Sequence, residues 1–290
     1  MPNITHRGHT LTWEEHSQGE HTLIFVNGYS ANRTIWVREV ARLAHLGRCV
    51  SLDLPGHYPA IAPPDYRSLS QDDLLDLELR AIREIAADGR VTVIGHSTGG
   101  MVALAAAALL PATVSRVVAL SPVVWGPLTG ILGQYQRLFA IPGSYGFYWL
   151  NYRLTQLLPD YMQWGIGQFY SGDAAAYRRN PVAANIVAVW SPTYRRSRLR
   201  SFAVLLRALK RCDIRPLAPH ITCPTLVIAG TRDPVVPISQ SRWLAQNLPC
   251  ATLREIPTAG HLPHWEEPAQ VDREIDGWLS SADLKIADNR

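Results

Sequence analysis

The sequence contains few cysteines, and none of them has the spacing of a metal site. The four residues, Cys49, Cys212, Cys223 and Cys250, are scattered through 290 positions without a C-x-x-C pair. Such scattering argues against a zinc site or a disulfide framework and is typical of a protein from a reducing compartment. We expect neither a metal nor an organic cofactor.

A long apolar run is also lacking. The longest candidate, residues 101–110, ends at Pro111 and falls well short of the roughly 18 residues that a membrane helix needs. The first residues are polar and lack the apolar region of a signal peptide. We therefore expect a cytoplasmic protein without a membrane span.

Charged residues are scarce, at 18% of the chain, and unevenly distributed. The window 178–215 holds ten Lys or Arg residues and one acid, Asp213, and so carries +9, whereas the rest of the chain carries −5. Three interpretations stay open: a solvated helix face, a docking patch for an acidic partner, or a field that steers an anionic substrate. Because no recognition motif accompanies the charge, we expect no nucleic-acid partner.

Strand-like apolar runs alternate with helix-like segments along most of the chain. The principal runs are 23–26, 49–52, 91–94, 117–120 and 225–229. Alternation of this kind predicts βαβ units and a mostly parallel α/β sheet flanked by helices. Three short runs open the chain, at 4–6, 9–14 and 21–26, and the last of them contains the run 23–26. Turn-prone residues separate the last two, which predicts a hairpin that leads into the sheet.

The stretch 125–212 interrupts this alternation. It holds 16 of the 25 aromatic residues and most of the basic window, in irregular helix-like segments. We interpret it as a helical cap inserted after the sixth strand, over the carboxyl edge of the sheet, where open α/β sheets bind ligands. The predicted division is a core of residues 1–124 and 213–290 and a cap of residues 125–212.

A G-x-S-x-G pentapeptide, Gly95-His96-Ser97-Thr98-Gly99, follows the run 91–94 directly. The pentapeptide alone is common, but here a strand precedes it and an Ala-rich helix follows. This setting favours a nucleophilic serine on a sharp strand-to-helix turn, where glycines are needed because neighbouring side chains have no room. The alternative is an ordinary glycine-rich turn.

A serine hydroxyl needs a base and an acid to become a good nucleophile. His261 follows a short strand and precedes the terminal helix, which satisfies the chain order Ser, acid, His; His264 is the competing histidine. Asp233 directly follows the run 225–229, at the same sheet edge as Ser97. The segment 121–125 offers no acid, so a structural turn aspartate is the main alternative to Asp233 as the triad acid.

These motifs together resemble the α/β-hydrolase superfamily. The resemblance spans about 1–124 and 213–280 and rests on G-H-S-T-G-G, G-T-R-D-P-V-V-P and A-G-H-L-P-H-W-E-E-P. It implies an eight-stranded, mostly parallel sheet and an oxyanion hole made by the backbone N–H groups of Thr98 and Tyr29. It also implies that Glu267 or its neighbour precedes the last helix.

Two loops depart from the pattern of that superfamily. Asn27 stands where histidine is usual, although asparagine can still hold the loop by hydrogen bonds. Tyr58 replaces a glycine in the turn after Asp53, which suggests a different loop that reaches toward the pocket. Neither departure removes a catalytic group.

The aromatic cap predicts a largely apolar pocket in which hydroxyl and indole N–H groups can form hydrogen bonds with a ligand. The alternative is that many of these rings pack the cap's own core. A bulky apolar or aromatic small molecule suits such a pocket as substrate. The candidate substrate contacts are Asn27, Tyr58, Trp125, Tyr148, Trp149 and Trp164. If the basic window faces the entrance, an acidic carrier protein that presents a thioester becomes a candidate partner.

The resulting functional hypothesis is hydrolysis of an ester or thioester through an acyl-enzyme, with Ser97, His261 and Asp233 as the triad. Two alternatives stay open, because neither fold nor triad decides the reaction. One is carbon–carbon bond hydrolysis, lyase or cyclisation chemistry with the same triad. The other is a ligand-binding protein on a hydrolase scaffold.

Overall fold

A computed structural model of the chain describes residues 1–158 and 167–287, with side chains through residue 281. Eight strands form one sheet. They are β1 (Asn3–His6), β2 (His9–Glu15), β3 (Thr22–Val26), β4 (Arg48–Leu52), β5 (Val91–His96), β6 (Val114–Leu120), β7 (Thr225–Gly230) and β8 (Ala251–Ile256). Their spatial order is β1-β2-β4-β3-β5-β6-β7-β8.

The described helices lie between and after these strands. They are α1 (Val37–Leu43), α2 (Gln71–Ala86), α3 (Thr98–Leu109), α4 (Gly130–Leu138), α5 (Tyr145–Leu157), α6 (Ala174–Arg178), α7 (Pro181–Tyr194), α8 (Leu199–Leu209), α9 (Ile238–Asn247), α10 (Pro263–Glu266) and α11 (Pro268–Ala287). Short 3₁₀ segments occur at Arg33–Trp36, Ala44–Leu46, Gly167–Tyr170 and Arg215–His220. None of the described helices is long and apolar enough to cross a membrane.

The sheet is parallel except at one edge. All pairs from β4 to β8 are parallel, while β2 pairs antiparallel with both β1 and β4. The predicted pairing of the 9–14 and 21–26 runs is therefore wrong. The hairpin joins β1 to β2 instead, because Arg7 and Gly8 both take positive φ (49° and 76°), which favours a tight two-residue hairpin turn.

The core lies on both faces of the sheet. In β3, Leu23 and Phe25 pack with residues of α1 and α11, while Ile24 and Val26 pack with residues of α2 and α3. Helices on both faces leave the central strands no solvated side, which is why their sequences are almost continuously apolar. The rigid sheet edge so formed carries the site described below.

The helices α4 to α8 form the predicted insertion after β6, and the prediction of an eight-stranded, mostly parallel sheet with a helical insertion there is confirmed. The base of the insertion is closed by an antiparallel bridge between Trp125 and Asp213. In that bridge Gly126 N–H donates to Cys212 O at 2.9 Å. The bridge lies at the predicted boundary between core and cap; the two-domain division itself stays a prediction.

Candidate active site

Ser97 occupies the turn between β5 and α3 with a backbone conformation that L-residues rarely adopt, φ 55° and ψ −112°. Glycine is required on both sides of it. A Cβ on Gly95 would lie 2.1 Å from Gly99 O, and one on Gly99 would lie 2.0 Å from Val26 O. The turn holds the serine at the positive N-terminal end of α3, with its side chain in a cavity beneath the cap.

His261 links Ser97 to Asp233. Its Nε2 lies 3.0 Å from Ser97 Oγ, and its Nδ1 lies 2.7 Å from Asp233 Oδ2. Because an ionised carboxylate can only accept, Nδ1 carries the proton and Nε2 offers its lone pair to the serine hydroxyl. This is the geometry that general-base activation of a serine needs.

Asp233 is held by the loop that follows β7. Its Oδ1 accepts the backbone N–H groups of Val235 and Val236 at 2.7 and 2.9 Å, which leaves Oδ2 for His261. The side chains of Asp233 and His261 are 1% and 5% exposed, so water competes little for these bonds. The structure thus brings together the three side chains that the sequence singled out.

A second acid, the partly buried Glu266, holds the loop that carries His261. Its carboxylate accepts N–H bonds from Gly260 (3.0 Å), Leu262 (3.1 Å) and Gly172 (2.7 Å). Burial raises the pKa of Glu266, and the three N–H donors oppose that shift by favouring the ionised form. The sequence left Glu267 and its neighbour open; Glu267 instead accepts from Thr258 Oγ1 at 2.6 Å.

Two more histidines lie beside His261. His96 Nε2 donates to the backbone carbonyl of His261 at 2.8 Å, and burial lowers the pKa of His96 to about 3, so its ring is neutral. His264 is buried against the ring of Trp36, with centroids 5.4 Å apart, and burial lowers its pKa well below the ordinary value. Of the two histidines weighed from the sequence, His261 is the one that reaches Ser97.

The loop after β3 faces the serine. Within the described part of the chain, neither the Tyr29 nor the Thr98 backbone N–H has an acceptor, as an oxyanion hole requires. Asn27 holds this loop as expected, because its Nδ2 donates to Gly28 O and Ala31 O at 3.1 and 3.0 Å. Both candidate donors are therefore free to receive a ligand oxygen.

A cavity of about 390 Å³ opens above Ser97 and His261, within the usual size range of small-molecule sites. No Asp, Glu, Lys or Arg is found among its described lining residues. The cap supplies most of the wall through Ile131, Leu132, Tyr135, Asn151, Tyr152, Thr155, Gly167, Phe169, Tyr170, Tyr177, Val187, Trp190 and Tyr194. Burial raises the pKa of Tyr152, Tyr170 and Tyr194, so these phenols stay neutral and can donate hydrogen bonds.

Five of the six predicted substrate contacts lie in the described part of the chain, and none of these five lines the cavity. Tyr148 is buried behind the wall, with its hydroxyl 3.0 Å from that of Tyr29, and Trp149 is 44% exposed on the outer side of α5. Trp125 packs edge-on against Trp243 at the base of the cap. Trp164 lies outside the described residues.

Asn27 and Tyr58 are also away from the cavity wall. Asn27 is occupied with its own loop, and the ring of Tyr58 lies under the guanidinium of Arg196 at 4.5 Å. The neighbour of Tyr58 makes the inward contact instead: His57 Nε2 accepts the N–H of Ser30, a cavity residue, at 3.3 Å. The expected reach of Tyr58 toward the pocket is therefore not found.

The residues that sequence reasoning missed are mainly the inward-facing cap aromatics Tyr135, Tyr152, Tyr170, Tyr177, Trp190 and Tyr194. All six belong to the aromatic group that the sequence identified. The aromatic composition of the cap is a signal that identifies these residues as a group, but the sequence does not show which side of each helix faces the cavity. For Glu266, the sequence indicates only that Glu267 or its neighbour has a role.

The model of the alpha/beta hydrolase family matches residues 23–274. The chain belongs to the α/β-hydrolase family, and its fold and site define an esterase-like hydrolase. A curated relative, pimeloyl-acyl-carrier-protein methyl ester esterase of Nitrosomonas europaea, is 27% identical over 254 residues, covering 86% of this chain and 91% of that protein.

Solved structures show the same fold. The enol-lactonase of Burkholderia xenovorans superposes with a TM-score of 0.75 at 20% identity, over 96% of this chain and 100% of that chain. A thermophilic esterase from Thermogutta terrifontis gives a TM-score of 0.71 at 20% identity, over 97% and 99% of the two chains. At such identities the likeness concerns the fold alone.

Proposed function

We propose that this protein is a serine esterase that hydrolyses esters of bulky, uncharged, apolar or aromatic acyl groups. The observation that supports this best is the continuous chain Ser97–His261–Asp233, with separations of 3.0 and 2.7 Å, at the floor of a cavity without charged described side chains. No other serine in the described part of the chain contacts a histidine that is itself bonded to a carboxylate.

In the first half of the reaction, Ser97 Oγ attacks the ester carbonyl while His261 Nε2 accepts the hydroxyl proton. Asp233 stabilises the imidazolium that forms. The N–H groups of Tyr29 and Thr98 stabilise the carbonyl oxygen as it becomes negative, at about 10²–10³ in rate per donor. The imidazolium then gives its proton to the leaving alcohol, and an acyl-Ser97 ester remains.

In the second half, water attacks the acyl-enzyme and His261 accepts its proton. The second tetrahedral intermediate uses the same two N–H donors. Its collapse breaks the bond to Ser97 Oγ, which regains a proton from His261, and a carboxylic acid leaves. Substrate and water supply every atom of the products.

The wall of the cavity supports an uncharged acyl group. A charged acyl group would lose its hydration without an ionic partner there, which is costly. Aliphatic carbons gain about 0.8 kcal/mol per buried CH₂, or about fourfold in kcat/KM, until the cavity is full. We therefore expect the kcat/KM for p-nitrophenyl esters to rise with acyl length, reach a maximum and fall.

Covalent labelling tests the nucleophile directly. We expect a fluorophosphonate probe to label the native chain at Ser97 and to leave Ser97→Ala unlabelled. Ser121→Ala is the matched control, because Ser121 also has a positive φ (43°) at the end of the neighbouring strand but contacts no histidine among the described residues. A native chain that stays unlabelled would overturn the proposal.

A second candidate substrate is an acyl ester or thioester carried by an acidic carrier protein. It is supported by the basic window 178–215 and by the name of the Nitrosomonas europaea relative. Charge reversal at Arg195, Arg196 and Arg198, all exposed, should then slow turnover of the carrier-bound substrate and leave free esters unaffected. Equal turnover of the carrier-bound substrate by variant and wild type would contradict this candidate.

A further inference from the structure

The outer face of α5 carries a stripe of large apolar side chains in contact with solvent. Phe147, Leu150, Leu154 and Leu157 are 61%, 52%, 53% and 64% exposed. Their spacing of three and four residues aligns them along one side of the helix. We call these four residues the α5 stripe. Scattered exposed leucines are ordinary, but a contiguous apolar patch on a protein surface indicates an interaction site.

The cap that carries the α5 stripe is strongly basic. The segment 125–158 contains no Asp or Glu at all, and the whole cap of residues 125–212 has eleven Lys or Arg against two Asp. Arg153 is exposed on α5 itself. Arg195 donates to Leu158 O at one end of the helix, and the Arg207 guanidinium lies 5.8 Å from the Tyr145 ring at the other.

The helix that carries the stripe also forms part of the cavity wall. Asn151, Tyr152 and Thr155, on another side of α5, line the cavity above Ser97. Of the described lining residues, Asn151 and Phe169 are exposed, and they indicate where the cavity opens. A partner bound to the α5 stripe would therefore lie next to the opening.

Charge and apolarity together select the kind of partner. A second copy of the chain would bring two strongly positive caps together, which like-charge repulsion opposes. An acidic protein would satisfy the arginines but leave four large apolar side chains against a polar surface. An anionic lipid surface satisfies both features, because basic residues attract its head groups while apolar side chains enter the acyl boundary.

We propose that the α5 stripe and the basic cap around it bind an anionic lipid surface. The helix lies in the plane of the interface, and the cavity opening beside it can take up apolar esters dissolved in the lipid. This binding goes beyond the proposed esterase activity and does not depend on Ser97 as a nucleophile. A chain with Ser97→Ala should bind lipid as well as the wild type does.

Vesicle flotation tests the proposal with two lipid compositions. We expect the wild type to float with vesicles of equal parts phosphatidylglycerol and phosphatidylcholine, and at least about tenfold less with pure phosphatidylcholine. The double variant Leu150→Gln/Leu154→Gln should lose at least about tenfold in partition coefficient. Arg153→Glu should lose about fivefold or more, since one basic residue near such a surface contributes about that factor.

Matched variants on the core show whether flotation depends on the cap residues themselves or on any exposed leucine or arginine. Leu46 and Leu109 are 39% and 44% exposed outside the cap, and Leu46→Gln/Leu109→Gln should float like the wild type. Arg90→Glu, at the opposite end of β5, should do the same. The α5 stripe, Arg153 and core variants should keep their hydrolysis of p-nitrophenyl butyrate in lipid-free buffer, which shows that they are folded.

Three results would overturn the lipid proposal. The first is a wild type that does not float with anionic vesicles, and the second is an α5 stripe variant that floats equally well. The third is a dimer in sedimentation that Leu150→Gln/Leu154→Gln dissociates, because a second copy would then cover the stripe. Loss of flotation with intact fluorophosphonate labelling would leave the esterase proposal standing, so the two can fail separately.

Discussion

The carboxyl edge of the sheet and the inner wall of the cap both face the same cavity, but they hold their side chains in different ways. At the sheet edge, backbone groups fix the functional atoms: Asp233 receives two N–H bonds besides that of His261. In the cap, side chains hold one another, as where the Tyr194 and Thr155 hydroxyls meet at 2.7 Å. In the proposed esterase reaction, the edge therefore supplies the catalytic groups, and the wall selects the acyl group.

This contrast makes a general prediction about kinetics. A change at the sheet edge should lower the rate for every substrate alike, because it alters the groups that act on the carbonyl. A change in the cap wall should alter the ranking of substrates and leave the reactivity of Ser97 intact. The following substitutions test both halves.

The largest effect should come from Asp233→Asn. The amide no longer fixes His261 in the tautomer that accepts the serine proton, so kcat should fall by about 10⁴ for esters of every length. Stopped assays of p-nitrophenyl esters measure the loss, and circular dichroism checks the fold. Asp213→Asn, on an exposed carboxylate bonded to Arg215, is the matched control and should stay within about twofold. If Asp233→Asn lowered kcat only for long esters, the contrast between the sheet edge and the cap wall would be contradicted.

Glu266→Gln should have the next largest effect. A glutamine amide offers only one acceptor oxygen to the N–H groups of Gly260, Leu262 and Gly172, so the His261 loop shifts. Misplacement of a catalytic group by about 1 Å can cost about 10²-fold in rate. We expect kcat to fall by that order with KM unchanged, which identifies Glu266 as a positioning residue.

The matched variant for this test is Glu267→Gln, which alters only the bond to Thr258. It should keep nearly full kcat. If instead Glu266→Gln raised KM and kept kcat, the Glu266 carboxylate would act on substrate binding. The contrast between a catalytic sheet edge and a substrate-selecting cap wall would then be contradicted.

The residues of the sheet edge could be predicted from the sequence because their positions are fixed locally. Ser97 follows one apolar strand and Asp233 another, and the carboxyl ends of parallel strands meet at one edge. His261 then follows from chain order. Nothing about the cap was needed for these three inferences.

The cap wall could not be predicted in the same way. Tyr148 and Tyr152 are one turn apart on α5, yet Tyr152 lines the cavity while Tyr148 is buried behind it. Which side of a short helix faces inward depends on how the helices pack, and α5 carries apolar or aromatic side chains on its outer side as well as on its inner side. The sequence does not show the pairing of β2 with β4, because β3 and α1 lie between these two strands along the chain and only tertiary contacts bring them together.

A third prediction concerns Glu39, a buried acid of the core. Its Oε1 accepts from Arg38 at 3.2 Å, its Oε2 has no hydrogen-bond partner among the described residues, and burial raises the pKa of this carboxyl from 4.5 to about 7. The raised pKa means that stability is fully present below the unfolded-state pKa and is lost as pH rises through the folded-state value.

The variant Glu39→Gln removes that loss, because its amide stays neutral. At pH 8 its free energy of unfolding should exceed that of the wild type by on the order of 2 kcal/mol, and at about pH 4, below the unfolded-state pKa, the difference should nearly vanish. Urea unfolding at both pH values measures it, with the exposed Glu84→Gln as control. A gain of the same size at both pH values would show that ionisation is not the cause.

The smallest effect should come from the cap wall, in Val187→Phe. Val187 lines the cavity from α7, and a phenyl ring there shortens the space above Ser97. Because overfilling a packed site costs about 1–3 kcal/mol, kcat/KM for the longest ester that the wild type accepts should fall about tenfold. Acetate and butyrate esters, and labelling by a small fluorophosphonate, should be unaffected.

Val189→Phe is the matched control, since Val189 is 43% exposed on the same helix and absent from the cavity lining. If Val187→Phe lowered kcat/KM equally for short and long esters, the cap wall would affect the catalytic step as well as substrate fit. The contrast between the sheet edge and the cap wall would then be wrong.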